Sequence, residues 1–134
     1  MIWSNEIDEK AAITYKENHH HKLVVGDIEE IPSEVVPDHN ILLAGFPCQA
    51  FSVAGYRKGF ADERGNVFFQ VARLLRDKRP EIVFLENVKN LVGHDGGNTF
   101  RVILETLETF GYHVKHKVLN GMEYGNVPQN RERI

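Results

Sequence analysis

The chain has 134 residues, with ordinary hydrophobic (42%) and charged (26%) fractions, enough for one domain with a real core but small for an enzyme handling two substrates. A single cysteine excludes internal disulfides and a Cys-rich metal site, which suits a reducing cytoplasm, and no apolar run reaches membrane-spanning length or signal-peptide form. A formal charge of −3 is unlike that of a free-standing DNA-binding module, so a nucleic-acid partner would need a basic surface outside this sequence.

Taken in order, Met1 to Ser4 reads as a short terminal strand. Asn5 to Asn18 has Glu6, Asp8 and Glu9 crowded at its start, where acids complement a helix dipole, so a helix is expected to begin near Asp8. Glu6 then stands at a strand-to-helix junction. It is either one more acid complementing the dipole or a carboxylate that accepts hydrogen bonds from a nucleotide ribose, and the residues alone divide these evenly. His19, His20 and His21 are adjacent and cannot all face one metal from a regular element, which favours a solvated turn. Leu23 to Val25 is a second short strand closed by Gly26, with Asp27 and Ile28 at its end. Glu29 to Asn40 holds Pro32 and Pro37 and reads as a loop with at most one helical turn.

Ile41 to Ala44 is the third strand, and it runs through Gly45, Phe46 and Pro47 into Cys48. A buried strand ending in Gly and Pro delivers the next side chain to the carboxyl edge of a sheet, where open α/β sheets hold their ligands. An arbitrary lone cysteine is most often a small buried hydrophobe. Here Pro47 fixes the approach, Gln49 and Ser52 stand alongside, and the setting favours a nucleophile. The stretch RKGFADERG, residues 57–65, is charged, Gly-punctuated and loop-like. Asn66 to Lys78 is an amphipathic helix with Asn66 as N-cap and Phe68, Val71, Leu74 and Leu75 on one face. Pro80 ends it. Ile82 to Leu85 is the fourth strand, with Glu86 at its carboxyl end. Residues 91–98 form a Gly-rich turn that lacks a Walker lysine and leads into a helix over Thr99 to Phe110, with Phe100, Ile103, Leu104, Leu107 and Phe110 inward and Gly111 as cap. Tyr112 to Leu119 alternates and reads as a strand near the sheet edge. Arg131 and Arg133, two apart, share a face if extended.

GFPCQAFSVAG, then RKGFADERGNVFF, FLENVKN and VPQNRER, in that order and across almost the whole chain, resemble the DNA (cytosine-5) methyltransferase family, above all its bacterial restriction-modification branch. PCQ alone would be a weak signal; the ordered set is specific. The resemblance implies an α/β, Rossmann-like S-adenosylmethionine-dependent methyltransferase fold, with residues 1–134 a partial catalytic domain. It makes Glu6 a ribose acceptor, places Ile7 and Ile28 against adenine, has Asp27 bond the adenine amino group, and sets Pro47 and Val67 beside the cofactor. Gln49, Ser52, Arg57, Lys58 and Arg64 would face double-stranded DNA, although a solvated loop would look the same. No metal is implied.

The chemistry follows from the substrate. Cytosine carbon 5 is a poor nucleophile, so a thiolate from Cys48 would add to carbon 6 and place electron density at carbon 5. Glu86, a strand-end carboxyl with a raised pKa in a water-poor pocket, would protonate or hydrogen-bond ring nitrogen 3; otherwise it is an ordinary carboxylate paired with a base. Arg133 would reach the cytosine carbonyl and orient Glu86, and Arg131 would lower the thiol pKa or hold phosphate. The base must be flipped out of the duplex. Relative to the family pattern, a first strand with its Gly-rich loop and a C-terminal recognition region are missing. That strand would lie between the first and third strands of this chain. Its absence predicts weak or absent S-adenosylmethionine binding, an inactive fragment, and unpaired inner edges closed by re-pairing or self-association. RNA methylation on the same scaffold and a non-catalytic remnant or interaction module are the alternatives.

Overall fold

In the computed structural model, which describes residues 1–48, 67–126 and 128–134, four parallel strands occur as two separate pairs. The first pair is β1 (Trp3–Glu6) beside β2 (Lys22–Val25), with Trp3 opposite Lys22 and Glu6 opposite Val25. Helix α1 (Glu9–Asn18) connects them. Asp8 caps it, accepting from the N–H groups of Lys10 at 2.7 Å and Ala11 at 2.9 Å, which satisfies two of the orphan donors of the first turn. The second pair is β3 (Ile41–Gly45) beside β4 (Ile82–Glu86), running from Ile41 opposite Ile82 to Gly45 opposite Glu86.

Helices α2 (Val67–Lys78) and α3 (Asn98–Thr109) carry the core. Phe68, Leu75, Val102, Thr99 and Thr106 are almost fully enclosed, and Leu42, Phe46, Leu91, Ile103 and Leu107 close around them. Burying a Phe or Leu of this kind contributes roughly 1.5–3 kcal/mol. The two enclosed threonines are satisfied: Thr106 donates to the Val102 carbonyl at 2.7 Å, and Thr99 Oγ1 meets His94 Nδ1 at 2.8 Å. Beyond α2, Arg79 turns through a left-handed φ of 51° and Pro80 forbids a further helical turn.

Several expectations change in the structure. Residues 112–118 are not a strand. Tyr112 and Val114 do point into the core, but among the described residues no strand lies beside them, so the alternation survives without a ladder. Only Leu119–Asn120 (β5) is extended, paired antiparallel with Glu132–Arg133 (β6) around a single turn of helix, α4 (Gly121–Tyr124). The inward line of α3 is rotated: Thr99, Val102 and Thr106 lie deepest, while Phe100 is half-exposed and packs edge-on against His116 at 5.1 Å. Residues 28–35 hold two short 3-10 turns (Ile28–Glu30 and Ser33–Val35) rather than one. His21 is not solvated like its neighbours; its Nε2 lies 2.7 Å from Ser4 Oγ and 2.9 Å from Tyr15 Oη. Among the described residues, β1 and β3 each pair on one side only and have not re-paired with each other.

Candidate functional site

The parallel registers decide what meets at the carboxyl edges. With Gly45 opposite Glu86, the turn that follows β3 and the last residue of β4 leave the sheet at the same level. Cys48, three residues beyond Gly45, is half-buried, reduced and packed against the core. Glu86 sits at the rim: its Oε1 accepts from Arg133 Nε at 2.7 Å, and a Cβ built at Gly45 would lie 3.3 Å from its Oε2. A side chain at position 45 would therefore crowd the carboxylate. The Arg133–Glu86 pair is partly exposed, so its contribution to stability is on the order of 1 kcal/mol or less, and its effect is chiefly to aim the carboxylate.

Asn87 ties this edge together, and sequence reasoning missed it. It is 4% exposed. Its Nδ2 donates to the Phe46 carbonyl at 2.6 Å, while its backbone exchanges two hydrogen bonds with Ile134, at 2.8 and 3.0 Å. One residue thus links the turn before Cys48, the Glu86 strand and the segment that carries Arg133. The signal available was an amide directly after a strand-end acid; nothing in the periodicity marks it as buried.

Burial pushes the Cys48 thiol above its ordinary value, and no charge is among the causes. The expected depression by Arg131 is not present here: Arg131 is exposed and instead lines a polar cleft of about 350 Å³ with Val88, Lys89, Asn90, Gln129 and Arg133. Asn120 sets the approach of this segment, its Oδ1 accepting from the N–H groups of Met122 and Arg131, both at 3.1 Å.

Four of the residues expected at the cofactor gather at the other pair, and two, Pro47 and Val67, do not. Glu6 and Val25 are opposite each other, so Glu6, Ile7, Asp27 and Ile28 cluster where β1 and β2 end. Asn5, also missed, fixes that edge by donating to the carbonyls of Val24 at 3.2 Å and Gly26 at 2.8 Å. Glu6 Oε1 accepts from the Asp8 N–H at 2.9 Å, and Asp27 Oδ1 from the Glu29 N–H at 2.9 Å. Each carboxylate keeps a second oxygen without a partner among the described residues. Ile7 is exposed beside them, and Ile28 is half-buried. Two oxygen acceptors flanked by aliphatic surface fit the adenosine half of S-adenosylmethionine, whose ribose hydroxyls and adenine amino group donate and whose ring packs on apolar groups. Pro47 is exposed in the turn before Cys48, and Val67, the first residue of α2, is half-buried against the core. Gln49, Ser52, Arg57, Lys58, Arg64 and the Asn66 cap lie outside the described residues. Among the described residues no cluster suits a metal ion, and no helix is long and apolar enough to cross a membrane.

Comparison with known proteins bears on this arrangement. The family described as C-5 cytosine-specific DNA methylase matches residues 1–134. The chain is similar to the type II methyltransferase M.Bsp6I of Bacillus sp. (strain RFL6), at 60% identity over 99% of this chain and 42% of the relative. It is also similar to the type II methyltransferase M.HhaI of Haemophilus parahaemolyticus, at 50% identity over 99% of this chain and 40% of the relative. Among solved structures, a Spodoptera frugiperda DNMT2 mutant superposes with a TM-score of 0.72, and S. pombe Dnmt2 with 0.71. Both are 22% identical, and each is covered over 40% and 41% of its length, respectively. At that identity the likeness shows the fold alone; with the family match, that fold is the α/β, Rossmann-like one of S-adenosylmethionine-dependent methyltransferases. The chain spans about two fifths of the length of the relatives it matches.

Proposed function

We propose, since the chain belongs to the C-5 cytosine-specific DNA methylase family, that it supplies the reacting edge and the adenosine-binding edge of an enzyme that methylates carbon 5 of cytosine in DNA. The observation that carries this is the register of β3 and β4, which brings the Cys48 turn and the Arg133-paired Glu86 to one rim.

The reading assigns each group a step. The base, flipped from the duplex, lies between thiol and carboxyl. Cys48 thiolate adds to carbon 6, and Glu86 steadies the charge that develops at ring nitrogen 3 while Arg133 holds Glu86 and reaches the carbonyl oxygen. S-adenosylmethionine, held at the adenosine-binding edge, would supply the methyl group to carbon 5; its sulfonium S–CH3 bond would break and the thioether S-adenosylhomocysteine would leave. Loss of the carbon 5 proton to a base then expels Cys48 and regenerates the thiolate. Glu6 and Asp27 hold the adenosine half, with Ile7 and Ile28 against the ring. Pro47 and Val67 border the cofactor, and Arg131 holds a backbone phosphate beside the polar cleft. Gln49, Ser52, Arg57, Lys58 and Arg64 contact DNA. Working on cellular DNA within a restriction-modification pair, the enzyme is cytoplasmic.

Transfer of a labelled methyl group to duplex DNA by the complete polypeptide that contains this chain tests the reading. Label at carbon 5 of cytosine is expected; label confined to RNA, or none, contradicts it.

A further inference from the structure

The wall of the adenosine-binding edge, residues 28–33, belongs to no strand. It is held within itself by single backbone bonds of 3.1 Å (Glu30 N–H to Asp27) and 3.3 Å (Ile31 N–H to Ile28). Its shape comes from outside. Arg73, midway along α2, aims its guanidinium across the gap: Nη1 donates to Ser33 Oγ at 2.7 Å, and Nη2 donates to the carbonyls of Ile28 at 3.0 Å and Ile31 at 2.9 Å. Nε donates to Gln70 Oε1 at 2.9 Å, which locks the plane of the fork. Ser33 in turn donates to Asp77 Oδ2 at 2.6 Å, so the wall is joined to two successive turns of the same helix.

We infer that Arg73 is a positioning residue for the adenosine half of S-adenosylmethionine: it sets the backbone at Ile28 and so the placement of Asp27 and Ile28. The inference rests on the assignment of that edge to the cofactor. Only a planar fork with several fixed donors reaches three acceptors spread over six residues. A lysine ammonium is a compact point charge, and a neutral amide has too few protons.

The test uses the complete methyltransferase polypeptide that contains this chain, as wild type, Arg73→Lys and Arg73→Gln. It measures kcat, KM for DNA, KM for S-adenosylmethionine, and calorimetric Kd for S-adenosylmethionine and for adenosine. Losing charge-assisted bonds to this wall is expected to raise KM and both Kd values about tenfold. The factor for adenosine should equal that for the whole cofactor, with kcat at saturation and KM for DNA within about twofold of wild type. Arg73→Lys keeps the positive charge but not the planar fork, and is expected to raise KM and both Kd values as Arg73→Gln does. A helix strut with no part in positioning would lower kcat by reducing the folded fraction and leave KM and the adenosine Kd unchanged, and that result overturns the inference. Should Arg73→Gln not fold, Ser33→Ala removes one arm and is expected to raise KM about threefold; no change there also overturns it. Wild type that methylates DNA but does not bind adenosine refutes the positioning role alone. Wild type that binds no S-adenosylmethionine refutes the assignment of the edge itself.

Discussion

At the scale of single residues, the geometry around Glu86 is tight enough to forecast substitutions. Gly45→Ala sets a methyl group 3.3 Å from Glu86 Oε2 and must push the carboxylate or its strand aside. We expect the complete enzyme to lose about tenfold to a hundredfold in kcat with little change in DNA affinity, because an aim is disturbed rather than a contact removed. Steady-state kinetics checks this. Asn87→Ala deletes the donor to the Phe46 carbonyl and leaves that acceptor buried, which should cost about 1–3 kcal/mol in urea unfolding. Cys48 offers a pH readout. Burial favours the neutral thiol, so its ionisation lies above the ordinary range, and alkylation of the free protein should accelerate only at correspondingly alkaline pH. Rapid alkylation near neutrality would show that another group lowers the thiol.

At the scale of elements, strand ends were legible because glycine and proline punctuate them: Val25–Gly26 and Gly45–Phe46–Pro47 each mark a carboxyl edge. Pairing partners were less so. Tyr112 to Val118 alternates as a strand does, yet alternation records only which side chains face the core and not whether a neighbour offers hydrogen bonds. The residues that brace the two edges, Asn5, Asn87 and Arg73, escaped for a related reason. Their partners are backbone carbonyls 19 to 45 positions distant, and nothing in a hydrophobic period encodes them. The link between α2 and the 28–35 turns also makes a pH prediction. Asp77 is held below its ordinary value of 3.8, first by the hydrogen bond from Arg76, against opposing burial, with Ser33 and Arg73 adding to it. The folded state therefore binds fewer protons at this site than the unfolded chain. Its stabilisation is present above 3.8 and is lost as pH falls through the lower folded value. Thermal melts of Asp77→Asn should show a shallower acid limb than wild type.

At the scale of the whole molecule, one face of the β3–β4 pair meets the core through Leu42, Val83 and Leu85. The other face carries Ile41, Leu43, Ile82 and Phe84, each more than half exposed and set in two directly opposed pairs. Parallel strands are normally covered on both faces, and an apolar patch of this kind drives association. The isolated chain should therefore sediment as a dimer or larger, whereas Leu43→Lys with Phe84→Lys should sediment as a monomer. A stable wild-type monomer would contradict this.

The account depends most on Cys48 and Glu86 acting on one pyrimidine. DNA carrying 5-fluorocytosine cannot lose a proton from carbon 5 after methyl transfer, so the thiol adduct should persist. Mass spectrometry of the complete enzyme incubated with that DNA and S-adenosylmethionine should find the base bonded to the peptide containing Cys48, and no adduct in Cys48→Ala. An adduct on any other residue, or methylation of normal DNA that continues in Cys48→Ala, would contradict it.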